Sequence, residues 1–123
     1  MTQPVRSDEL RLDDMLDALR DIREHLRLGW EVFSRDRDLQ KVIAYDLTIF
    51  GEAGKRVSVR TKKTNPTIPW TEVIEYGNNL IHEYHTLDLK DTWEFYRSEL
   101  RNLERKLRRV RVVALERDSQ EEG

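Results

Sequence analysis

Apolar residues recur along the chain in steps of three and four, the repeat that gathers side chains on one side of an α-helix. Leu12, Met15, Leu16, Leu19, Ile22, Leu26 and Trp30 form the first stripe and predict a helix over about 8–31. The polar run Ser34-Arg35-Asp36-Arg37-Asp38 interrupts it, and Ser34 and Asp36 offer capping oxygens for a new helix. Leu39, Val42, Ile43, Leu47, Phe50, Ala53 and Val57 predict that second helix over about 36–60. Gly51 and Gly54 lie inside it, a pattern tolerated where another backbone must come close. Thr61 to Pro66 reads as a loop, and Pro69 suits the first turn of a third helix over about 69–82. Its apolar side carries Trp70, Val73, Ile74, Gly77, Leu80, Ile81 and Tyr84. Asp88 followed by Asp91 marks the start of a last helix. Leu89, Trp93, Tyr96, Leu100, Leu103, Leu107, Val110 and Ala114 give that helix a heptad seam, which serves either bundle packing or a helical dimer contact.

Four helices with short connections and no alternating strand pattern predict an all-α bundle. The expected layout is a single domain over 1–115 with a polar tail over 116–123. At 123 residues, the chain is long enough for one core. Charged residues make up 37% of it, yet 22 basic and 24 acidic side chains nearly cancel, so the charge belongs to solvated helix faces rather than to a disordered chain. A net charge of −2 argues against a globally basic nucleic-acid binder and leaves room for a local basic face. The absence of cysteine excludes disulfides, thiolate zinc sites and cysteine nucleophiles. With no apolar run of signal or membrane-span length, the expectation is a cytoplasmic protein without membrane association.

The most unusual polar cluster is Asn78-Asn79-Leu80-Ile81-His82-Glu83-Tyr84-His85. Asn78, His82 and His85 fall at i, i+4 and i+7, so one helical face gathers an amide and two imidazoles, the side chains best suited to moving protons near neutral pH. A solvated helix end is the plainer meaning of the same pattern. His82 and His85 lack the third ligand and the spacing of a zinc motif, so no metal is expected. Arg97, Arg101, Arg105 and Arg108 form a basic stripe on the last helix, with Lys106, Arg109 and Arg111 beside it and Glu99 and Glu104 as the nearest offsets. Such a stripe suits phosphates or is simply a solvated face. Gly51 to Arg56 is not a phosphate loop, because it lies within a helical pattern. Arg20 and His25 share the spacing of an arginine–histidine motif, and His25 is expected to be an ordinary surface residue.

Three separated segments resemble the HepT branch of the HEPN superfamily: residues 35–58, Asn65 to Ile74, and Asn78 to Asp88. The resemblance runs in order over about residues 35–107. It implies an antiparallel four- to five-helix bundle that homodimerises, and a metal-independent, cofactor-free endoribonuclease. It further implies the toxin of a toxin–antitoxin pair whose partner is an MNT-type nucleotidyltransferase. His82 and Tyr84 match the motif's histidine and tyrosine, which implies acid–base catalysis on RNA at His82, assisted by Asn78, and transfer of AMP to Tyr84 by the partner. The motif arginine should fall at 75, 76 or 77, which are Glu75, Tyr76 and Gly77, with Gly77 the best-aligned position. Loss of a guanidinium that stabilises phosphate oxyanions costs on the order of 10²–10³ in rate. Lys55, Arg56, His85 or a partner's arginine would then hold the phosphate. The alternative is an impaired relative that binds RNA, a nucleotide or the nucleotidyltransferase without cutting.

Overall fold

The computed structural model describes residues 7–122, apart from the side chains of Ile81, His82, Tyr84, Glu121 and Glu122. Among these residues the secondary structure is helical throughout: α1 (Asp8–Leu26), α2 (Trp30–Arg35), α3 (Arg37–Arg56), α4 (Val59–Thr64), α5 (Trp70–His82), a 3-10 turn (Tyr84–Thr86), α6 (Leu89–Ser98) and α7 (Leu100–Glu122). The all-α expectation holds.

Three predicted helices are divided, each for a local reason. The first stops at Leu26 because Gly29 adopts φ 99°, a left-handed conformation open to glycine, and α2 starts afresh behind it. The second ends at Arg56, where Val57 turns extended and the Ser58 hydroxyl caps α4 by accepting from the Thr61 N–H. The last divides at Glu99, whose φ of −125° breaks the helical path between α6 and α7. The heptad seam survives that break: Leu100, Leu103, Leu107, Val110 and Ala114 are buried, while Leu89, Trp93 and Tyr96 pack at the margin. Its apolar surface is therefore used in the core, against α1. Residues expected to form a polar tail continue α7 to Glu122 instead.

Polar contacts establish how the long helices run. Asp8 at the start of α1 meets Ser58 just beyond α3, whereas Asp46 within α3 feels Asp21 and His25 late in α1, so α1 and α3 are antiparallel. Arg117 reaches Asp8 at 3.1 Å and Arg23 reaches Glu104 at 3.7 Å, making α7 antiparallel to α1. Gly77 lies against Gly51, and Gly54 lies near Ile74, so α5 is antiparallel to α3. The result is an antiparallel bundle of α1, α3, α5 and the α6–α7 arm. Lys106, in the second turn of α7, donates to Thr67 O just before α5 at 3.4 Å.

A buried carboxylate closes the end where α1 begins. Asp8 accepts from the Ser58 N–H at 3.0 Å, the Ser58 hydroxyl at 2.6 Å, the Thr61 hydroxyl and the Arg117 guanidinium. Burial pushes its pKa up, but these donors outweigh burial and hold it below the ordinary carboxylate range. The folded state thus gains stability from ionised Asp8 above the unfolded pKa, and loses it as pH falls through the lower folded value. Because Arg117 belongs to this cluster, the last turns of α7 are tied to α1 and α4.

Candidate functional site

The segment singled out by its imidazoles stands where α5 ends. His82 is the last residue of α5, Glu83 leaves the helical conformation, and the 3-10 turn begins at Tyr84. The Glu83 N–H donates to Asn79 O at 3.0 Å, and Thr86 donates its N–H and hydroxyl to Glu83 O at 2.9 and 2.6 Å. These bonds turn the chain sharply without a glycine. The turn itself packs against α3 and α5. Asn78 is half-buried one turn before His82, and His85 is exposed on the turn. The side chains of His82 and Tyr84, to which the sequence assigned proton transfer and AMP acceptance, lie outside the described residues.

The antiparallel pairing separates other candidates from this segment. Lys55 and Arg56 close α3, and α3 runs from the level of Gly77 back toward the start of α5. They therefore sit at the far end of α5 from His82 within one chain. Both are exposed, and Arg56 pairs with Glu52 at 3.9 Å.

Gly77 has a packing role that its alignment with an arginine conceals. A Cβ on Gly77 would lie 3.0 Å from Gly51 Cα and 3.1 Å from Leu47 O, both backbone atoms of α3. A Cβ on Gly51 would meet Gly77 Cα at 3.0 Å and Val73 O at 3.1 Å. The two glycines let α3 and α5 touch backbone to backbone, and a side chain at either position would force one helix off the other.

His25 is not the ordinary surface residue expected from the sequence. It is half-buried, and its Nδ1–H donates to Asp21 O at 2.7 Å. Asp46 faces it from α3 with only 9% of its surface exposed, and Asp46 Oδ2 has no hydrogen-bond partner. Burial pushes the Asp46 pKa up to about 6, with the Asp21 charge adding to the rise and His25 opposing it. Sequence reasoning passed over Asp46, although its spacing from Ile43 and Phe50 places it on the buried stripe of α3. Val42, counted in that stripe, is instead 39% exposed.

Asp46 carries a stability prediction. Its folded pKa lies above the ordinary carboxylate value of 3.8, so the fold loses stability as pH rises from about 4 to about 6, then loses no more. Asp46→Asn should stabilise the protein by about 3 kcal/mol above pH 6 and by nothing below pH 4. Thermal melts across that range check it, and a gain independent of pH contradicts it.

Among the described residues no helix is long and apolar enough to cross a membrane, and no group of three or more His, Asp or Glu side chains is arranged around a metal position. The chain is an antiparallel all-helical bundle carrying an Asn-x-x-x-His-x-Tyr segment where its third long helix ends. The profile of the Ribonuclease HepT-like family matches residues 15–110, and the chain belongs to that family. A protein of Thermococcus cleftensis named "Probable ribonuclease HepT" is 31% identical over 107 residues, covering 86% of this chain and 97% of the relative. One from Caldanaerobacter subterraneus named "Putative RNase" is 28% identical, covering 68% of this chain and 74% of the relative. Another "Putative RNase", from Methanocaldococcus jannaschii, is 24% identical, covering 87% and 89%. No solved structure matches the chain.

Proposed function

We propose that the protein is a metal-independent endoribonuclease with His82 as its acid–base group, acting as the toxin of a nucleotidyltransferase antitoxin. The observation that carries this reading is the family match, which spans the whole α5–turn segment holding His82 and Tyr84. In this reading imidazole removes the proton of a ribose 2′-hydroxyl, and the 2′-oxygen attacks the adjacent phosphorus. The P–O5′ bond breaks, the leaving 5′-oxygen takes a proton, and a cyclic phosphate remains. Asn78, one turn away and half-buried, holds phosphate or ribose.

The oxyanion still needs a cation. Lys55 and Arg56 stand at the wrong end of α5 in their own chain, which favours a homodimer in which a second copy supplies it. A two-fold axis perpendicular to α5 exchanges the two ends of the bundle, so one copy's α3 terminus can approach the other copy's α5 terminus. AMP on Tyr84 then places bulk and negative charge two residues from His82 and blocks the RNA backbone.

The test is RNA cleavage by the purified protein in EDTA, followed by treatment with the nucleotidyltransferase and ATP. Cleavage that survives EDTA, and stops as one or more AMP units appear on Tyr84, is the expected result. RNA binding without cleavage supports the non-cutting alternative instead. Metal-dependent cleavage overturns the mechanism.

A further inference from the structure

The basic stripe on α7 changes character once its neighbours are in place. In the sequence Glu104 stands among these arginines as a neutralising charge. In the fold Glu104 is only 2% exposed and is consumed from two sides, by Arg23 of α1 at 3.7 Å and by Arg108 at 3.3 Å. Arg111 is likewise turned inward, to Glu9 at 3.1 Å and to Asp13. Arg101, Arg105 and Arg109 remain on the outer face, exposed and with no ion pair among the described residues. Arg20, Arg27, Arg35 and Arg56, also exposed, each pair with a carboxylate within four residues, and Arg37 stands exposed and unpaired among the described residues singly, without a row of neighbours. From Arg101 to Leu115, α7 presents no exposed carboxylate of its own.

Spacing adds a second constraint. Four residues of helix advance about 6 Å, so three guanidiniums stand in a row at about 6 Å intervals. A single RNA strand can offer successive phosphates to such a row, and each guanidinium can bind phosphate oxygens bidentately. Exposed Arg97, at the end of α6, lies just before the row in sequence, and exposed Val112 and Val113 end it.

We propose that the outer face of α7, through Arg101, Arg105 and Arg109, is a phosphate-binding track for single-stranded RNA. It rests on the ribonuclease reading for its choice of polyanion, and it assigns RNA affinity to a surface outside the His82 segment. The track raises substrate affinity and takes no part in bond breaking.

The experiment measures binding of labelled poly(U) against salt concentration, in a His82→Ala background that leaves the RNA intact. Replacing Arg101, Arg105 and Arg109 together with Gln should weaken binding at least tenfold. It should also lower the slope of log affinity against log salt by about 2, since each phosphate contact on a single strand contributes about 0.7. A control with Arg20, Arg27 and Arg35 changed to Gln carries the same change in charge and should bind like its parent. If the two triple variants bind alike, the track does not exist. If poly-glutamate binds as tightly as poly(U) and depends on the same arginines, the face belongs to an acidic protein and the proposal is wrong. The ribonuclease reading fails separately: a chain with His82 intact that binds poly(U) through these arginines yet cuts no RNA keeps the track and loses the nuclease.

Discussion

Gly77→Arg should fail to fold, even though an arginine is what the resemblance places at that position. A Cβ alone at residue 77 meets two backbone atoms of α3 at 3.0 and 3.1 Å, and backbone cannot rotate aside as a side-chain tip can. Forcing one methyl group into that contact costs about 1–3 kcal/mol, partly offset by the roughly 1 kcal/mol by which alanine outranks glycine in a helix. A guanidinium on three methylenes must instead push α5 off α3, separating the pair on which Phe50, Ala53 and Leu80 pack. That loss exceeds about 4 kcal/mol, a large share of the 5–15 kcal/mol that holds a domain together. Asn79→Arg, two residues on and exposed, should change stability by less than about 0.5 kcal/mol. Soluble expression and thermal melts of the two variants decide the matter. A Gly77→Arg protein that melts like the wild type would show that α3 and α5 do not touch at these glycines.

This contact also marks how far the sequence could be read. Two glycines inside a helical stripe signalled a close approach for Gly51 and Gly54, and Gly51 indeed meets another backbone. Gly77 lay in the apolar stripe of the third helix, yet alignment drew attention to the side chain it lacks instead of the helix it faces. Periodicity located the long helices because each buries a stripe against a neighbour. It missed the breaks at Gly29, Val57 and Glu99, since the apolar steps continue across them while the backbone turns. Nor does a one-dimensional pattern say which charges cancel. Glu104 and Arg105 look like a pair along the chain, but one is buried on α1 and the other is exposed to solvent. Charge alone makes Lys55 and Arg56 candidates for the phosphate, and only helix direction shows that His82 lies at the opposite end of α5. The His82–Tyr84 segment was legible as chemistry because an amide and two imidazoles recur at helical spacing, but the shared helical face does not form: α5 ends at His82 and the 3-10 turn carries His85 off it.

His82→Ala should reduce RNA cleavage by about 10²–10⁴-fold while leaving RNA affinity and the melting temperature close to wild type. The magnitude follows from the task assigned to the imidazole. A 2′-hydroxyl is a poor nucleophile until its proton is accepted, and the proposed metal-independent mechanism has no metal-bound hydroxide to take over that step. Stability should survive because, among the described residues of α5, the core comes from Trp70 and Leu80, with Val73 and Tyr76 at its edge. Affinity should survive because the arginine track lies on α7. The substitution therefore separates two quantities that a folding defect would lower together. Tyr84→Phe supplies the complementary contrast, since it should keep the ring, leave cleavage near the wild-type rate and remove the hydroxyl proposed to accept AMP. In a toxicity assay that variant should resist neutralisation by the nucleotidyltransferase, whereas His82→Ala should need none. Equal cleavage by wild type and His82→Ala, both in EDTA, would remove the imidazole from the mechanism and with it the proton path on which the nuclease reading depends.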